Sequence, residues 1–286
     1  MNIKEIIAKI GFGEQAEVTV LKREEDDSDY AVWKIEEDGV TRVLKKTGKQ
    51  EPDVYDAFLA SAECGALRFY KSIEYDGELF FLMEYIEGHN LQKCDRESLT
   101  AALDALIYLQ NMYWEKRELQ GIGHGFEASL PGRQKRRKYL NDAELEQAYE
   151  RYLRIYSDIP RTLCHDDLLP FNVLCAKERA VIIDWEYAGI LPYPTSLARL
   201  IAHCEEDESA FFYMTQADKD YAADYYFEHL LKEKGIDYNA YRRTLDYFLL
   251  YEYCEWIMLG IEYNDTGCER FQKYYAKAKE HIKKLI

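Results

Sequence analysis

The sequence contains no long uninterrupted apolar run. None of its hydrophobic stretches approaches about 18 residues, the length that a membrane-spanning helix needs. The first ten residues include Lys4, Glu5 and Lys9, and they lack the apolar centre of a secretory signal peptide. We therefore expect a cytoplasmic protein that has no membrane partner.

Paired cysteine spacing of the kind that binds metals is also missing. The chain has 7 cysteines, an odd number, which indicates reduced thiols in a cytosolic protein and no structural zinc. Internal repeats, low-complexity tracts and long linkers are absent from the sequence as well. With 286 residues, of which 48% are hydrophobic, the chain is long enough for two lobes that each have a core.

Basic residues are in deficit. The chain has 37 Lys and Arg against 53 Asp and Glu, a formal net charge of −16. Such a field repels nucleic acid and favours cationic small molecules, although the same acidity also serves solubility alone. We expect no nucleic-acid partner. The glycine-rich segment at 121–132 is predicted to be a loop, and we interpret the basic run at 134–138, which would open the next helix, as a solvated helix face.

Two short apolar runs frame a polar loop and end in oxygen-bearing side chains. His165, Asp167 and Asn172 follow the first run with the spacing His-x-Asp-x-x-x-x-Asn, and Asp184 ends the run at 181–183. Short buried strands that deliver polar side chains to a cleft have this pattern. A carboxylate near an acceptor hydroxyl, together with amide and carboxylate oxygens as Mg²⁺ ligands, is what phosphoryl transfer requires.

We therefore predict Asp167 as the catalytic residue and Asn172 and Asp184 as Mg²⁺ ligands. The alternative is that each of them only caps a turn. His165 is predicted to hold the loop by hydrogen bonds, and Asp166 is predicted to be solvated.

The same segment resembles the catalytic loop and metal-binding segment of the aminoglycoside phosphotransferase and choline kinase superfamily. The run from Asp184 to Gly189, Asp-Trp-Glu-Tyr-Ala-Gly, is closer to the choline kinases. The resemblance is specific at 163–199 and diffuse elsewhere. It implies an α+β, bilobal protein-kinase-like fold, with a small β-rich nucleotide-binding lobe at 1–88. A large, mainly helical lobe at 89–286 would carry the catalytic loop, the metal site and the acceptor pocket.

Local signals predict several helix positions. Pro52 stands in the first turn of the helix that follows the third strand, and Asp95 is a predicted N-cap. Further helices are predicted from Thr195 or Ser196 through Cys204 and at 217–234, 238–264 and 267–286.

The resemblance also implies that the N-terminal lobe binds ATP or GTP. Period-two patterns predict strands at 17–21, 30–35 and 41–46. Lys45, at the end of the third strand, would hold the α- and β-phosphates. Glu51, near the start of the following helix, would orient Lys45 as in the lysine–glutamate pair of kinases. The alternative for Glu51 is a favourable interaction with the helix dipole alone.

Two further segments correspond to nucleotide-binding elements of kinases. The hairpin at 23–30 would be the phosphate flap, with Ser28 near the β-phosphate, but its aspartates fit a solvated hairpin equally well. The apolar strand at 80–86 would lead into the hinge between the lobes. There the backbone groups of Glu84 and Ile86 would hydrogen-bond the nucleotide base; the alternative is an ordinary edge strand.

The resemblance places the acceptor between the catalytic loop and the C-terminal helices. Tyr187 corresponds by motif to a tyrosine that lines the choline site of choline kinases. Glu252, Glu255 and Trp256 stand at positions i, i+3 and i+4 of a predicted helix and therefore share a face. An aromatic ring beside carboxylates suits an amine, although aromatic residues at helical spacing are also typical of a core.

Two positions depart from the pattern of these kinases. Ser196 stands where an aspartate is usual, and Arg199-Leu200 stands where choline kinases carry an Asn-His pair. These departures leave the predicted catalytic set intact but weaken the transfer of choline specificity. No Ala-Pro-Glu closure of an activation segment follows Asp184, which disfavours a protein kinase.

The expected function is transfer of the γ-phosphate of a nucleoside triphosphate to a hydroxyl of a small, amine-bearing molecule of the choline or ethanolamine kind. An aminoglycoside O-phosphotransferase is the alternative within the same class. A non-catalytic nucleotide-binding scaffold of the same fold is the alternative from another class. A hydrolase with Cys164 and His165 as a dyad is geometrically unfavourable, because adjacent strand residues point to opposite faces. The sequence leaves the oligomeric state open.

Overall fold

The computed structural model describes residues 2–22, 29–48, 50–177 and 179–285. The helices are α1 Ile3–Ile10, α2 Gln50–Val54, α3 Arg96–Met112, α4 Phe126–Arg136, α5 Ala143–Asp158, α6 Thr195–Ala202, α7 Gln216–Tyr226, α8 Tyr238–Glu262 and α9 Glu269–Leu285. The strands are β1 Glu17–Lys22, β2 Asp29–Glu37, β3 Val40–Thr47, β4 Gly65–Ala66, β5 Phe69–Tyr75, β6 Glu78–Glu84, β7 His89–Asn90, β8 Arg161–His165, β9 Val173–Ala176, β10 Arg179–Ile182 and β11 Ala188–Pro192.

An antiparallel sheet with the order β1-β2-β3-β6-β5 forms the N-terminal part of the chain. The first three strands lie where the period-two patterns predict them. Asp38 and Gly39 join β2 to β3 with positive φ angles of 50° and 76°. Both residues of a type I′ hairpin turn need such angles. β6 pairs with β3 and β5 on its two sides and is therefore not an edge strand.

The two faces of β6 belong to different cores. Phe80 and Leu82 pack in a cluster with Trp33, Leu44 and the apolar face of α1. Phe81 and Met83 point the other way and join the main core, together with Tyr55 and Phe58 after α2. Alternate side chains of a strand point to opposite faces of the sheet, so β6 connects the two cores. The sequence analysis did not predict α1.

The C-terminal part of the chain is mainly helical. α8 packs against α5, α6 and α9, and α3 packs against α7 and β10. A small sheet with the order β4-β10-β9-β7 and a ladder of β8 with β11 lie at the edge of this helical part. β4 lies before residue 88 in the chain but pairs with β10, so the domain boundary at 88/89 stays a prediction.

The chain passes from β6 into the helical part through a linker that ends at Gly88. A Cβ atom on Gly88 would lie 2.3 Å from the carbonyl oxygen of Cys175 in β9. Only glycine allows the two backbones to approach so closely. The linker is thereby held against β9, the strand that follows the predicted catalytic loop.

The predicted loop at 121–132 is wrong in part, because α4 begins at Phe126 and contains Pro131 and Gly132. Phe126 stacks on Tyr156 with ring centroids 5.5 Å apart. The Tyr149 hydroxyl also donates to the carbonyl of Arg133 at 3.0 Å. This packing outweighs the low helix propensity of proline and glycine. The basic run at 134–138 consequently ends α4 and does not open the next helix.

Among the described residues, no helix combines the length and the apolar character that a membrane-spanning segment needs.

Candidate active site

His165 holds the loop between β8 and β9 by hydrogen bonds. Its Nδ1 accepts from the backbone N–H of Asp167 at 3.2 Å, so its Nε2 carries the proton and donates to the carbonyl of Ile183 at 2.9 Å. The backbone N–H of His165 donates to Ser196 Oγ at 2.8 Å. The ring therefore joins the loop to the segment before Asp184, and Ser196 fixes the end of β8.

The structure brings Asp167, Asn172 and Asp184 together at the ends of short strands. Asn172 Nδ2 donates to the carbonyl of Asp167 at 2.8 Å, and the Asn172 carbonyl accepts from Ile183 N–H at 2.9 Å. Within the described part of the chain, the amide oxygen of Asn172 has no hydrogen-bond partner. Asp184 has a left-handed backbone (φ 65°, ψ 57°), which is strained for a non-glycine residue. Its side chain is 47% exposed.

Lys45 lies between Glu51 and Asp184. Its Nζ donates to the two oxygens of Glu51 at 2.9 and 2.8 Å and to Asp184 Oδ1 at 2.6 Å. Glu51 is only 1% exposed and also accepts from Thr47 Oγ1 and from the backbone N–H of Trp185. Sequence reasoning identified the lysine–glutamate pair but not the contributions of Thr47 and Trp185.

The opposite charges of Lys45 on one side and Glu51 and Asp184 on the other attract one another. Burial by itself lowers the pKa of the Lys45 ammonium, but the charges of Glu51 and Asp184 outweigh burial and raise it. Burial raises the pKa of Asp184, but the charge of Lys45 outweighs burial and holds that pKa below its ordinary value. Lys45 and Asp184 therefore both stay ionised at neutral pH.

The alternation of β3 explains why Lys45 reaches the cleft. Leu44 is buried in the cluster beneath α1, so Lys45 points to the opposite face. Lys46 returns to the side of Leu44 and pairs with Glu78 at 3.0 Å. Lys34 pairs with Glu36 at 2.9 Å and lies over the ring of Tyr85. Lys45 alone among these three lysines contacts Asp184.

The predicted hinge lies at the end of β6. The backbone N–H of Glu84 donates to the carbonyl of Arg68 at 2.8 Å, and the Glu84 side chain pairs with Arg179. Ile86 lies beyond the strand, half-buried, and its N–H and carbonyl have no hydrogen-bond partner within the described residues. The backbone of Ile86 is thus available, whereas the Glu84 N–H is already used. Ser28, predicted in the flap, lies outside the described residues.

Asp167 is held by an arginine that the sequence analysis did not connect to it. Arg199 in α6 donates from Nε and Nη2 to Asp167 Oδ1, at 3.1 and 2.7 Å. Its Nη1 donates to Glu252 Oε2 at 2.8 Å and to Glu255 Oε2 at 2.9 Å. Arg136 also pairs with Glu255 at 2.8 Å. Glu252 and Glu255, the carboxylates predicted to bind the acceptor, are therefore already paired with guanidinium groups.

The two predicted aromatic acceptor residues lie in different surroundings. Tyr187 is 51% exposed, and its ring meets His124 edge-on with centroids 6.2 Å apart. Trp256 stacks on Tyr274 of α9 at 5.8 Å and meets His203 edge-on. Tyr187 thus presents an open ring near the catalytic loop, whereas Trp256 packs among helices. That both bind the acceptor stays a prediction.

Asp166 is not solvated, and that expectation is wrong. Its side chain is largely buried and pairs with Arg133 of α4 at 2.5 Å. Arg133 is only 3% exposed, and its guanidinium lies 4.2 Å from the ring centre of Tyr251 and 4.9 Å from that of Tyr156. Burial raises the pKa of Asp166, but the Arg133 charge outweighs burial and lowers it. A residue next to the predicted catalytic aspartate is therefore anchored in the helical core.

The fold and these contacts define a class of protein, a phosphotransferase with protein-kinase architecture. Residues 12–230 match the Phosphotransferase enzyme family, and the chain belongs to that family. The expected superfamily and the α+β, bilobal kinase-like fold are both confirmed.

Relatives among curated proteins are distant. Protein LicA of Haemophilus influenzae is 24% identical over 161 residues, which cover 52% of this chain and 48% of that protein. A second LicA protein of the same species is 23% identical over 161 residues, 52% of this chain and 60% of that protein. The chain therefore spans about half the length of the curated relatives that it matches.

Similar solved structures extend over nearly the whole chain. Aminoglycoside phosphotransferase APH(4)-Ia, in a complex with AMP-PNP and hygromycin B, has a TM-score of 0.63 at 18% identity and covers 98% of this chain and 97% of its own. A choline kinase from Cryptosporidium parvum has a TM-score of 0.63 at 15% identity, with 98% and 97% coverage. Amicoumacin kinase hAmiN, with AMP-PNP, Ca²⁺ and Ami, has a TM-score of 0.62 at 15% identity, with 100% and 93% coverage. At these identities the likeness establishes the fold.

Proposed function

We propose that this phosphotransferase moves the γ-phosphate of ATP or GTP to a hydroxyl group of a small molecule. The observation that carries the proposal is the contact of Lys45 with both Glu51 and Asp184, at 2.8 and 2.6 Å. This contact joins the predicted phosphate-binding lysine to the end of the paired strands β9 and β10 at which Asn172 also lies. Asp167 stands on the same loop as Asn172, whose side chain donates to the carbonyl of Asp167 at 2.8 Å.

The donor set fits a magnesium ion. Asp184 offers a half-exposed carboxylate, and Asn172 offers an amide oxygen without a hydrogen-bond partner among the described residues. Mg²⁺ is usually held by one or two such protein oxygens together with substrate phosphates and water. When bound there, Mg²⁺ would neutralise charge on the phosphate oxygens.

Side chains of the protein then position the nucleotide phosphates and the acceptor hydroxyl. Lys45, kept cationic by Glu51, binds the α- and β-phosphates. Asp167 accepts a hydrogen bond from the acceptor hydroxyl and aligns it with the γ-phosphorus. A bond forms between the acceptor oxygen and the γ-phosphorus, the bond to the β,γ-bridging oxygen breaks, and the hydroxyl proton passes to Asp167. Positioning and electrostatics account for most of the rate in such transfers.

An amine-bearing alcohol of the choline or ethanolamine kind is the proposed acceptor. The net charge of −16 favours a cation, and a choline kinase is among the similar structures. An aminoglycoside is the second candidate, because APH(4)-Ia in its complex with hygromycin B resembles the chain to the same degree. Glu252 and Glu255 already form ion pairs with arginine, so the exposed ring of Tyr187 is the better candidate contact for an acceptor amine.

The structure disfavours the hydrolase alternative. Cys164 is buried, and burial raises the pKa of its thiol to about 12. A hydrolytic Cys–His dyad needs an ionised thiol, so Cys164→Ala should leave activity unchanged. A nucleotide-binding scaffold would use Lys45 in the same way, so turnover is the property that distinguishes it from the proposed enzyme.

A substrate panel tests the proposal. ADP or GDP release is measured with choline, ethanolamine, other amino alcohols and aminoglycosides, each with Mg²⁺ and with EDTA. We expect Mg²⁺-dependent release that one acceptor class accelerates. Nucleotide binding without turnover for any acceptor would contradict the proposal and favour the scaffold. A protein that binds no nucleotide would contradict both.

A further inference from the structure

Arg199 connects the catalytic loop to α8 through one guanidinium group. It is 11% exposed and stands in α6, between the two elements that it joins. Nε and Nη2 bind Oδ1 of Asp167, and Nη1 binds Glu252 and Glu255. Within the described residues, the second oxygen of Asp167, Oδ2, has no hydrogen bond. The guanidinium therefore leaves a single oxygen of Asp167 for an incoming hydroxyl.

Arg199 is the cation that Asp167, Glu252 and Glu255 share, and Arg136 supplies a second cation to Glu255 alone. Burial by itself lowers the pKa of Arg199, but Glu252, Glu255 and Asp167 outweigh burial and raise it well above its ordinary value. His203 Nε2 lies 3.3 Å from Arg199 Nη1, and its Nδ1 lies 2.7 Å from the Tyr274 hydroxyl. Burial and the charge of Arg199 hold the pKa of His203 well below its ordinary value. The histidine is neutral here.

We propose that Arg199 is a positioning and specificity residue, which fixes one oxygen of Asp167 and fills the place of a substrate cation between Glu252 and Glu255. The inference rests on the proposed phosphotransfer to a hydroxyl. Its consequence is that an acceptor ammonium is excluded from this carboxylate pair. Removing the guanidinium should then misplace Asp167 and at the same time open a cation site.

Kinetics of two variants test the positioning role. Arg199→Gln removes the charge. Arg199→Lys keeps a charge but loses the planar guanidinium group, whose several N–H groups bind Asp167 and both glutamates at once. We expect kcat to fall about 100-fold in Arg199→Gln, the scale of a misplaced catalytic group, with a smaller loss in Arg199→Lys. Arg242→Gln is the matched control, because Arg242 also bridges two carboxylates, Asp220 and Asp224, on the protein surface.

A pair of isosteric acceptors tests the specificity role. Choline and its neutral analogue 3,3-dimethyl-1-butanol differ only in charge at the branched end. At pH 8 the ratio of kcat/KM for choline to kcat/KM for the neutral analogue should rise in Arg199→Gln relative to the unaltered protein. Glu252 and Glu255 then lose the cation that they share, and only Glu255 keeps an arginine partner, Arg136. A ratio that stays constant, together with unchanged kcat in both variants, would overturn the proposal.

Binding of methylguanidinium to Arg199→Ala gives a test that needs no turnover. Millimolar methylguanidinium should raise the melting temperature of Arg199→Ala but not of the unaltered protein or of Arg242→Gln, and it should restore part of the lost kcat. A folded Arg199→Ala that neither binds methylguanidinium nor regains activity would refute the inference. If Arg199→Ala does not fold, a kcat of Arg199→Lys equal to that of the unaltered protein refutes it.

These outcomes separate the two proposals. A protein without phosphotransfer activity but with methylguanidinium binding in Arg199→Ala would contradict the proposed function alone. An active enzyme that is insensitive to all Arg199 replacements would contradict the role of Arg199 alone.

Discussion

The carboxylate of Glu51 accepts a hydrogen bond from the backbone N–H of Trp185 at 3.2 Å, although the two residues are 134 positions apart in the chain. The same carboxylate accepts both hydrogen bonds that orient Lys45. Glu51 therefore fixes the predicted phosphate-binding lysine relative to the segment that follows Asp184. The side chain of Glu51, in the helix that begins at Gln50, thereby contacts both the N-terminal sheet and the segment after β10.

Glu51→Gln should weaken both nucleotide use and stability. The change keeps the shape of the side chain but removes the charge that holds Lys45 cationic. We expect kcat/KM for the nucleotide to fall about 10- to 100-fold, as for a misplaced binding group. The free energy of unfolding should fall by about 1–3 kcal/mol, because buried donors lose a charged acceptor. Steady-state kinetics and urea denaturation measure the two effects.

Glu36→Gln is the control for that change, since Glu36 pairs with Lys34 on the surface. It should alter the free energy of unfolding by about 0–1 kcal/mol and leave kinetics unchanged. Equal effects of the two variants would remove the special role assigned to Glu51.

Asp167→Asn should keep nucleotide binding and lose turnover. Asparagine preserves an oxygen for Arg199 but cannot accept the hydroxyl proton. The expected loss in kcat is about 10²- to 10⁴-fold, the usual contribution of a positioned acid–base group. ADP release is measured together with nucleotide affinity, and the exposed Asp220→Asn serves as a control. Near-normal turnover in Asp167→Asn would show that another group takes the proton.

Asn172→Ala should raise the Mg²⁺ concentration needed for half-maximal rate. Even residues that only support metal ligands contribute about 10- to 100-fold to metal affinity or activity, so the shift should be at least about 10-fold. A Mg²⁺ titration of the rate measures it, and Asn111→Ala on the exposed face of α3 is the control. An unchanged Mg²⁺ dependence would exclude Asn172 from the metal site.

Asp166→Asn should destabilise the protein strongly. It leaves the buried guanidinium of Arg133 without its counter-charge, and breaking a buried ion pair from one side costs about 3–5 kcal/mol. The double variant Arg133→Met, Asp166→Asn should recover part of the loss, because no charge then remains buried. Denaturation of the single and double variants measures the coupling. The exposed pair of Arg137 and Glu150 gives the control variant Glu150→Gln.

The ion pair of Asp166 and Arg133 should also contribute to acid sensitivity. The folded pKa of Asp166 lies below its ordinary value of about 3.9. Its stabilisation is therefore fully present above about pH 4 and is lost as the pH falls through the lower, folded pKa. The difference in free energy of unfolding between the unaltered protein and Asp166→Asn should thus shrink as the pH falls below about 4. A difference that grows on acidification would contradict the lowered pKa.

The first three strands of the N-terminal sheet and most helix positions were predictable, because the sequence patterns that mark them lie within the elements themselves. Alternating apolar residues placed β1 to β3, and Asp95 and Pro52 marked the starts of helices. The segment at 121–132 was misjudged because its proline and glycine are tolerated only through packing of Phe126 and Tyr149 against neighbouring helices. Such packing partners lie far away in the sequence and leave no local pattern.

By itself the sequence determined the kinase-like architecture through a family resemblance, which the family match confirms. It also predicted the group Lys45, Glu51, Asp167, Asn172 and Asp184, because these residues stand in or close to recognisable strands or at the start of a helix. Only the tertiary structure decided how the surrounding charges pair. Arg199 meets residues 32, 53 and 56 positions away, and Arg133 meets a residue 33 positions away. A guanidinium reaches whichever carboxylates the packing of α4, α6 and α8 brings within about 3 Å, and helix packing is not encoded in local spacing.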